Sequence, residues 1–257
     1  MRALLPICLP LIAVSSTPTL AAEFLGPLPY LQAADSPLSI ASPGYVLQNM
    51  ENGVFGGPGI GSNLFSGSII GPGGLTDSVD GDDGSVNGSG TLGRSLFNVA
   101  GGNGVTITFD AAILGSLPTE VGIVWTDGAG STLFEAWGPD DLLLGTIGPV
   151  SIADASVSGT TGEDRFFGVR DRGGILKIRI SNSAGGIEVD HFQFTVGGAC
   201  PASPDFNRDG LVNAADLAIL LGGWGACPRT GCCTGDLDSN GHVDASDLAI
   251  LLGAWTV

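Results

Sequence analysis

The chain has 257 residues and carries 26 Asp and Glu against 9 Lys and Arg, a formal net charge of −17. That charge repels nucleic acid and anionic membrane surfaces and argues against both as partners. With 43% hydrophobic residues and a mean hydropathy of +0.35 the chain is too apolar to remain disordered, and its 43 glycines with few helix formers point to an all-β body. The length allows one sizeable domain and one small module.

Residues 1–22 read as a signal peptide. Arg2 is the charged start, Ala3 to Val14 the apolar core, and Thr19-Leu20-Ala21-Ala22 the small-residue cleavage region. The apolar core is too short for a membrane span, which needs roughly 20 residues, and no second hydrophobic stretch follows. The expectation is a secreted protein, extracellular or at the cell surface, with no membrane span.

Residues 23–198 form the body. Strand-like runs recur between glycine-rich turns: Val105 to Phe109, Val121 to Trp125, Ser131 to Trp137, Leu142 to Ile147, Arg165 to Val169, Ile175 to Ile180 and Ile187 to Val196. In Leu176-Lys-Ile-Arg-Ile180 the apolar residues face one way and the bases the other, as in a half-buried strand. Asp127-Gly128, Asn182-Ser183 and Gly185-Gly186 read as turns, and Gly53 to Gly74 as long loops. Short strands at this spacing predict a β-sandwich.

Three stretches carry a family resemblance: Gly122-Ile-Val-Trp-Thr-Asp-Gly-Ala-Gly130, Gly162-Glu-Asp-Arg-Phe-Phe-Gly-Val169 and Ile180-Ser-Asn-Ser-Ala-Gly-Gly-Ile-Glu-Val-Asp-His-Phe-Gln-Phe194. The body resembles the jelly-roll domains of exported bacterial proteins that often end in a PEP-CTERM sorting tail. The resemblance implies a fold and an exported context, but no activity. Leu47-Gln-Asn-Met-Glu-Asn-Gly53 is similar to the opening of carbohydrate-binding jelly rolls, where a Phe-Glu-Asp-Gly segment and a late-strand Asp hold a structural calcium. That similarity implies Glu51 and Asp190 as ligands of one ion, although Met50 and Asn52 depart from the pattern. Asp190 falls in register with Phe192 and Phe194 if the strand is regular, and a buried carboxylate needs a partner. A local hydrogen bond or a strand bulge is the alternative. The run Asp77-Ser-Val-Asp-Gly-Asp-Asp83 reads as a solvated acidic loop, with calcium binding as its alternative.

Catalysis finds little footing. His191 and His242 are the only histidines, and no Ser/His/Asp set can be built on them. A glycosidase needs two facing carboxylates. Glu120, Glu135, Glu163 and Glu188 are available, but no spacing singles out a pair. Trp125, Phe134, Trp137, Phe166 and Phe167 could stack on a sugar, though core packing is the plainer use of such rings.

The tail, residues 199–257, holds one unit twice. Asp205-Phe-Asn-Arg-Asp-Gly-Leu-Val-Asn-Ala-Ala-Asp-Leu-Ala-Ile-Leu-Leu-Gly-Gly-Trp224 returns as Asp236-Leu-Asp-Ser-Asn-Gly-His-Val-Asp-Ala-Ser-Asp-Leu-Ala-Ile-Leu-Leu-Gly-Ala-Trp255. The first twelve residues of each, 205–216 and 236–247, fit an EF-hand-like calcium loop, because a hard cation needs oxygen at positions 1, 3, 5, 7, 9 and 12. Asp205, Asn207, Asp209, the Leu211 carbonyl, Asn213 and Asp216 supply one set. Asp236, Asp238, Asn240, the His242 carbonyl, Asp244 and Asp247 supply the other. Gly210 and Gly241 stand where the loop turns sharply. Two calcium ions are therefore expected here, with a third in the body if Glu51 and Asp190 meet. Each loop leads into a short amphipathic helix. Leu217, Leu220, Leu221 and Trp224, and Leu248, Leu251, Leu252 and Trp255, form stripes expected to pack on each other over Val212 and Val243.

A tandem loop-then-helix calcium unit resembles the type I dockerin of secreted bacterial proteins. The resemblance implies a calcium-folded module that docks into a partner's cohesin domain. Dockerins are read largely through loop positions 10 and 11, which here are Ala214-Ala215 and Ala245-Ser246. Calcium ligation carries over residue by residue. The partner is cohesin-like or another surface protein, with polysaccharide as a further candidate. Cys8 leaves with the leader, and Cys200, Cys227, Cys232 and Cys233 remain around the loops. In an oxidising compartment two disulfides are expected, Cys200 to one of the vicinal pair and Cys227 to the other, with a zinc site as the alternative.

The combined reading is an all-β, jelly-roll-like body with a small helical calcium module. It describes a secreted, non-catalytic protein docked to a surface partner. A carbohydrate-binding or polysaccharide-degrading component delivered by the module is the second reading.

Overall fold

A computed structural model describes residues 21–42, 44–153, 158–196, 203–207, 209–227, 233–238 and 242–256. The leader 1–20, Cys200, Cys232, Asn240 and Gly241 lie outside the described residues. In the body, β1 (Glu23–Pro29), β2 (Tyr45–Gln48), β3 (Ile60–Ser62), β4 (Ile69–Ile70), β5 (Ser95–Asn98), β6 (Val105–Phe109), β7 (Pro118–Trp137), β8 (Leu143–Val150), β9 (Arg165–Arg170) and β10 (Lys177–Val196) make one antiparallel sheet. A single turn of helix, α1 (Ala111–Leu114), follows β6.

The spine is the pair β7 and β10, each 20 residues long and antiparallel along its whole length. Residues 120–125 of β7 take β9, and β9 takes β1; residues 132–137 of β7 take β8. Along its other edge β10 takes β6 at Lys177–Ile180, β5 at Ile187–Val189 and β2 at Phe192–Thr195.

The turns expected at Asp127-Gly128, Asn182-Ser183 and Gly185-Gly186 are not turns. The strands run through them, and the surplus residues become register shifts between Asn182 and Ile187 and at Glu188/Val189. Glycine is needed there for close approach, since a β-carbon on Gly128 would lie 1.8 Å from the Asn182 amide nitrogen. A hairpin signal and a bulge signal share the same residues, and only the pairing partner decides between them.

The sheet has two apolar faces. Ile107, Ile123, Trp125, Phe134, Phe167, Ile178, Val189, Phe192 and Phe194 belong to the main core. Tyr30, Leu38, Val79, Val124 and Phe166 form a second cluster on the opposite face, under the segment that carries Val79. Ile123 and Trp125 thus face one way and Val124 the other, which leaves Val121 to Thr126 buried on both sides. Trp125, Phe134, Phe166 and Phe167 are packing residues with no exposed ring. Trp137 is half-buried with the Lys177 ammonium 4.4 Å from its ring centre.

Strand β10 breaks its alternation at His191. That residue has φ +41, and the register with β7 slips between Asp190 and Gln193. Asp190 pairs opposite Val124 on the outer face, while Phe192 and Phe194 enter the main core. The regular strand that would set Asp190 beside Phe192 does not exist.

In the tail, α2 (Ala214–Gly222), β11 (Gly225–Ala226), β12 (His242–Val243) and α3 (Ala245–Gly253) follow the two loops. Val212, Leu220, Leu237, Val243 and Leu251 form its core, with Leu217 and Leu248 packed at the margin. Leu221, Trp224, Leu252 and Trp255 are exposed, against the expected stripes. The helices stop at Gly222 and Gly253, so each Trp lies beyond the last helical turn and out of its phase. The copies join instead through exchanged backbone pairs. Gly225 pairs with Val243, and at the equivalent positions Thr256 donates its amide to the Val212 carbonyl at 2.9 Å. The Thr256 hydroxyl accepts the Val212 amide at 2.7 Å.

Candidate metal centres

The two tail loops are built alike. Asp216 is fully buried at the start of α2, and its carboxylate accepts the amides of Phe206 (2.7 Å), Asn207 (3.2 Å) and Asn213 (3.0 Å). Asp247 repeats this with Leu237 (2.6 Å), Asp238 (3.2 Å) and Asp244 (2.8 Å). Each last acid therefore closes its own loop by drawing positions 2, 3 and 9 toward the helix. The Asn213 amide, ahead of those of Asn207 and Phe206, holds the Asp216 carboxyl below the usual carboxylate range. Asn213 and Asp244 cap the helices by accepting the amides of Ala215 and Ser246.

In the first loop Asp205 accepts the amides of Asp209 (3.2 Å) and Gly210 (2.9 Å). Asp209 accepts the Leu211 amide at 2.9 Å and the Asn207 side-chain amide at 2.8 Å. Gly210 has φ +86, as the sharp turn requires, and open space beside it, so conformation and not crowding selects glycine there. In the second loop, carboxylate oxygens of Asp236, Asp238 and Asp247 lie within 4.8 Å of one another. That oxygen-only donor set fits a hard cation. His242 sits in β12 opposite Ala226, and Asn240 falls outside the described residues. Ala214, Ala215, Ala245 and Ser246 are exposed.

Cys227 and Cys233 form a disulfide. It matches one of the two partners open to Cys227, and it removes both sulfurs from the zinc alternative, because a metal ligand must be a free thiolate. Cys200 and Cys232 lie outside the described residues.

The body holds a second acidic assembly that the sequence reading did not compose. The run Asp77–Asp83 is not a solvated loop. Asp77 and Asp80 are buried, and the segment lies along the outer face of β10. The Asp77 amide donates to Glu188 at 2.7 Å and the Val79 amide to Asp190 at 3.0 Å, so its two-residue period matches that of the strand below. Asp80 accepts the amides of Asn87 (2.9 Å) and Gly88 (2.8 Å) and the Thr161 hydroxyl (2.9 Å). Burial alone would raise the Asp80 carboxyl, but these donors together hold it below its ordinary value.

Of the expected pair Glu51 and Asp190, Asp190 converges with Asp82 and His191, and Glu51 is not a member of that group. Ligand atoms of Asp82, Asp190 and His191 lie within 4.8 Å of one another. His191 bonds Asp82 through Nε2 at 2.7 Å and the Tyr30 hydroxyl through Nδ1 at 2.9 Å, so both ring nitrogens are engaged. Asp82 Oδ2 is buried without a hydrogen bond. Burial, with the Asp82 charge next, pushes the Asp190 carboxyl well above the carboxylate range. Burial raises Glu51 too, against the opposing Arg94 amide that Glu51 accepts. The two carboxylates that converge here, Asp82 and Asp190, are oxygen donors of the kind a hard cation takes. The positive φ at His191 is what turns this residue and Asp190 toward the outer face. An acid immediately before a histidine in a predicted strand is a weak signal, yet it is the one the sequence holds.

The four glutamates weighed for catalysis are dispersed. Glu120 is buried against Arg170 (2.8 Å), with Ser39 and Thr195 also bonded to it. Glu135 pairs with Arg179 at 2.8 Å. Glu163 lies beside Thr160, and Glu188 accepts from Ser95 and Asp77. Burial lifts the Glu188 carboxyl to about 7. A depression of about 120 Å³ lined by Leu47, Gln48, Asn49, Met50, Asn52, Val54 and Gly56 carries no aromatic ring on which a sugar would stack. Among the described residues no helix is long and apolar enough to cross a membrane. Compared with known proteins, the chain matches no family model, no curated protein and no solved structure.

Proposed function

We propose that this is an exported, non-catalytic protein in which a dockerin-like tail binds two calcium ions and docks a jelly-roll body to an extracellular or cell-surface partner. The observation that carries the reading is the second loop, where Asp236, Asp238 and Asp247 gather their oxygens within 4.8 Å at the start of a capped helix. Calcium supplies the positive charge that such a loop needs. Asp205, Asn207, Asp209, Leu211, Asn213 and Asp216 would hold one ion, and Asp236, Asp238, Asn240, His242, Asp244 and Asp247 the other. Glu51, Asp82 and Asp190 would hold a third in the body. The exposed faces at Ala214-Ala215 and Ala245-Ser246, flanked by exposed Leu221 and Leu252, are apolar and carry no Lys or Arg. Docking there rests on shape and apolar area and is insensitive to salt.

The test is capture of a cohesin-like or other surface partner by the full chain with and without calcium. A partner held only with calcium, and lost in the Ala215→Arg/Ser246→Arg double variant, supports the reading. Equal capture in excess EDTA overturns it.

A further inference from the structure

Resting on the reading that both tail loops bind calcium, we propose that the Cys227–Cys233 disulfide positions the second loop for its ion and makes it, taken singly, the tighter of the two calcium sites. Two loops of nearly one sequence would bind alike if they were held alike, and they are not. Helix α2 runs on into β11, where Gly225 and Ala226 pair with Val243 and His242, the eighth and seventh residues of the second loop. Cys227 comes next, and its disulfide reaches Cys233, three residues before Asp236. The Cys227 sulfur lies 3.6 Å from Asp236 Oδ2, and the Asp236 amide donates to the Cys233 carbonyl at 3.0 Å. A β-carbon on Gly235 would lie 2.9 Å from the Val243 side chain, so the chain entering the loop rests directly on the loop's eighth residue. Cys227, Leu237 and Val243 are buried in one core. A covalent bond, a turn and a packed contact thereby fix the first ligand of this loop against its middle.

The first loop has its eighth residue held by Thr256. At its entry, among the described residues, the Asp205 amide donates to the Ser203 hydroxyl at 3.3 Å, and no disulfide adjoins it. The difference reaches the ligands. Oxygens of Asp236, Asp238 and Asp247 lie within 4.8 Å of one another, whereas among the described residues Asp205, Asp209 and Asp216 make no such group. Asp205 accepts the amides of Asp209 and Gly210 instead, and Asp209 those of Leu211 and the Asn207 side chain.

Charge runs the same way. The second loop offers Asp236, Asp238, Asp244 and Asp247 with no Lys or Arg, while the first offers Asp205, Asp209 and Asp216 and carries Arg208 between two of its ligands. Ligand charge and site rigidity set calcium affinity in such loops. A segment already held near its bound shape loses less freedom when the ion arrives. Both terms favour the second loop, and the disulfide supplies the rigidity.

The experiment titrates Ca2+ calorimetrically into two full-length chains: Asp205→Ala, which keeps the second loop, and Asp236→Ala, which keeps the first. Coupling between the loops is reciprocal and any body ion is common to both chains, so the difference between them is the difference between the loops. We expect the Asp205→Ala chain to bind several-fold more tightly. Adding Cys227→Ala/Cys233→Ala to each chain should weaken the second loop several-fold and leave the first unchanged. Equal affinities or a tighter first loop overturn the proposal, as does a cysteine variant that weakens both loops alike, the mark of a general staple for the tail. If the cysteine variants do not fold, calcium release from the two loaded chains before and after reduction by a dithiol decides. Faster release from the second loop alone supports the proposal, and unchanged or equally quickened release removes it. Two single-loop chains that bind no calcium in the tail end the calcium reading and this proposal together, whereas binding in the wrong order ends this proposal alone.

Discussion

The two acidic assemblies of this chain are made in opposite ways. In the tail, each set of oxygens comes from twelve consecutive residues, is partly exposed, and is closed by an acid bonded to its own loop. In the body, acids as far apart in the chain as Asp77, Asp164, Glu188 and Asp190 are buried, and the segment that carries Asp77 is clamped to Glu188 and Asp190. The tail tolerates charge because solvent screens it. The body layer has no such relief, so several of its carboxyls are displaced upward while Asp216 is displaced downward. The local loops take their shape from sequence spacing. A buried layer is shaped by the sheet, and its charge must be balanced from outside the protein or by protons.

The largest effect that sharpens this contrast is calcium removal. Helices α2 and α3 are nine residues each, well below the length at which a helix stands alone. Circular dichroism should lose the tail's helical signal in EDTA and regain it with calcium, since binding free energy is there folding free energy. A helical tail in excess chelator breaks the comparison. Next in size is Leu251→Ala, which empties a fully buried position in the tail core and should cost about 2–5 kcal/mol in urea unfolding with calcium present.

The body should answer to pH near neutrality through its raised carboxyls, whereas the lowered Asp216 of the tail acts only below the ordinary Asp range. The folded Glu188 carboxyl, near 7, binds a proton that the unfolded chain releases near 4.5. Its contribution is fully present below pH 4.5 and is lost as pH rises toward 7, on the order of 3 kcal/mol. Asp164 and Asp190, raised by burial, act with the same sign. Asp80, held low, acts with the opposite sign and loses its contribution only as pH falls below the ordinary Asp value of 3.8. In EDTA, urea midpoints of the body should therefore fall between pH 4.5 and 7.5, and Glu188→Gln should flatten part of that slope. A midpoint that rises over this range contradicts the buried layer. The smallest effect is Leu221→Ala, at 51% exposure, which should stay within about 0.5 kcal/mol in urea unfolding. A loss as large as that at Leu251 would restore the stripe packing that the fold denies.

What the sequence made legible follows the same division. The β-rich body, the strands Val105–Phe109 and Arg165–Val169, and the tail loops with Gly210 in place were readable because each depends on neighbours in the chain. The long ribbon was not, because Asp127-Gly128 and Gly185-Gly186 carry turn chemistry and only pairing across β7 and β10 converts it to bulges. Asp190 would face with Phe192 only in a regular strand; the irregularity kept as the alternative is what occurs, with positive φ at His191 and a register shift between Asp190 and Gln193. The Asp77–Asp83 run looked solvated because nothing local announces that Glu188 and Asp190 wait beneath it. Asp164 was quoted within a motif but given no role, although an acid in step with a buried Phe166 asks for one. The helix stripe failed at Trp224 because periodicity was carried past the last turn, whereas Leu221 lies within α2 and is exposed there.

The exchanged pairing of the two tail copies gives them a thermodynamic bond. Val212, inside the first loop, is held by Thr256 from beyond α3, and Val243, inside the second, is held by Gly225 from beyond α2. Each loop is thus finished by the segment that the other loop's helix delivers. If the loops bind ions as proposed, an ion that orders one loop pre-forms its neighbour, so the two binding events would share one ordering cost and the second would be the tighter. Calcium titrations of the tail signal should rise more steeply than a single-site curve, and disabling one loop with Asp205→Ala should weaken the other, intact loop by several-fold.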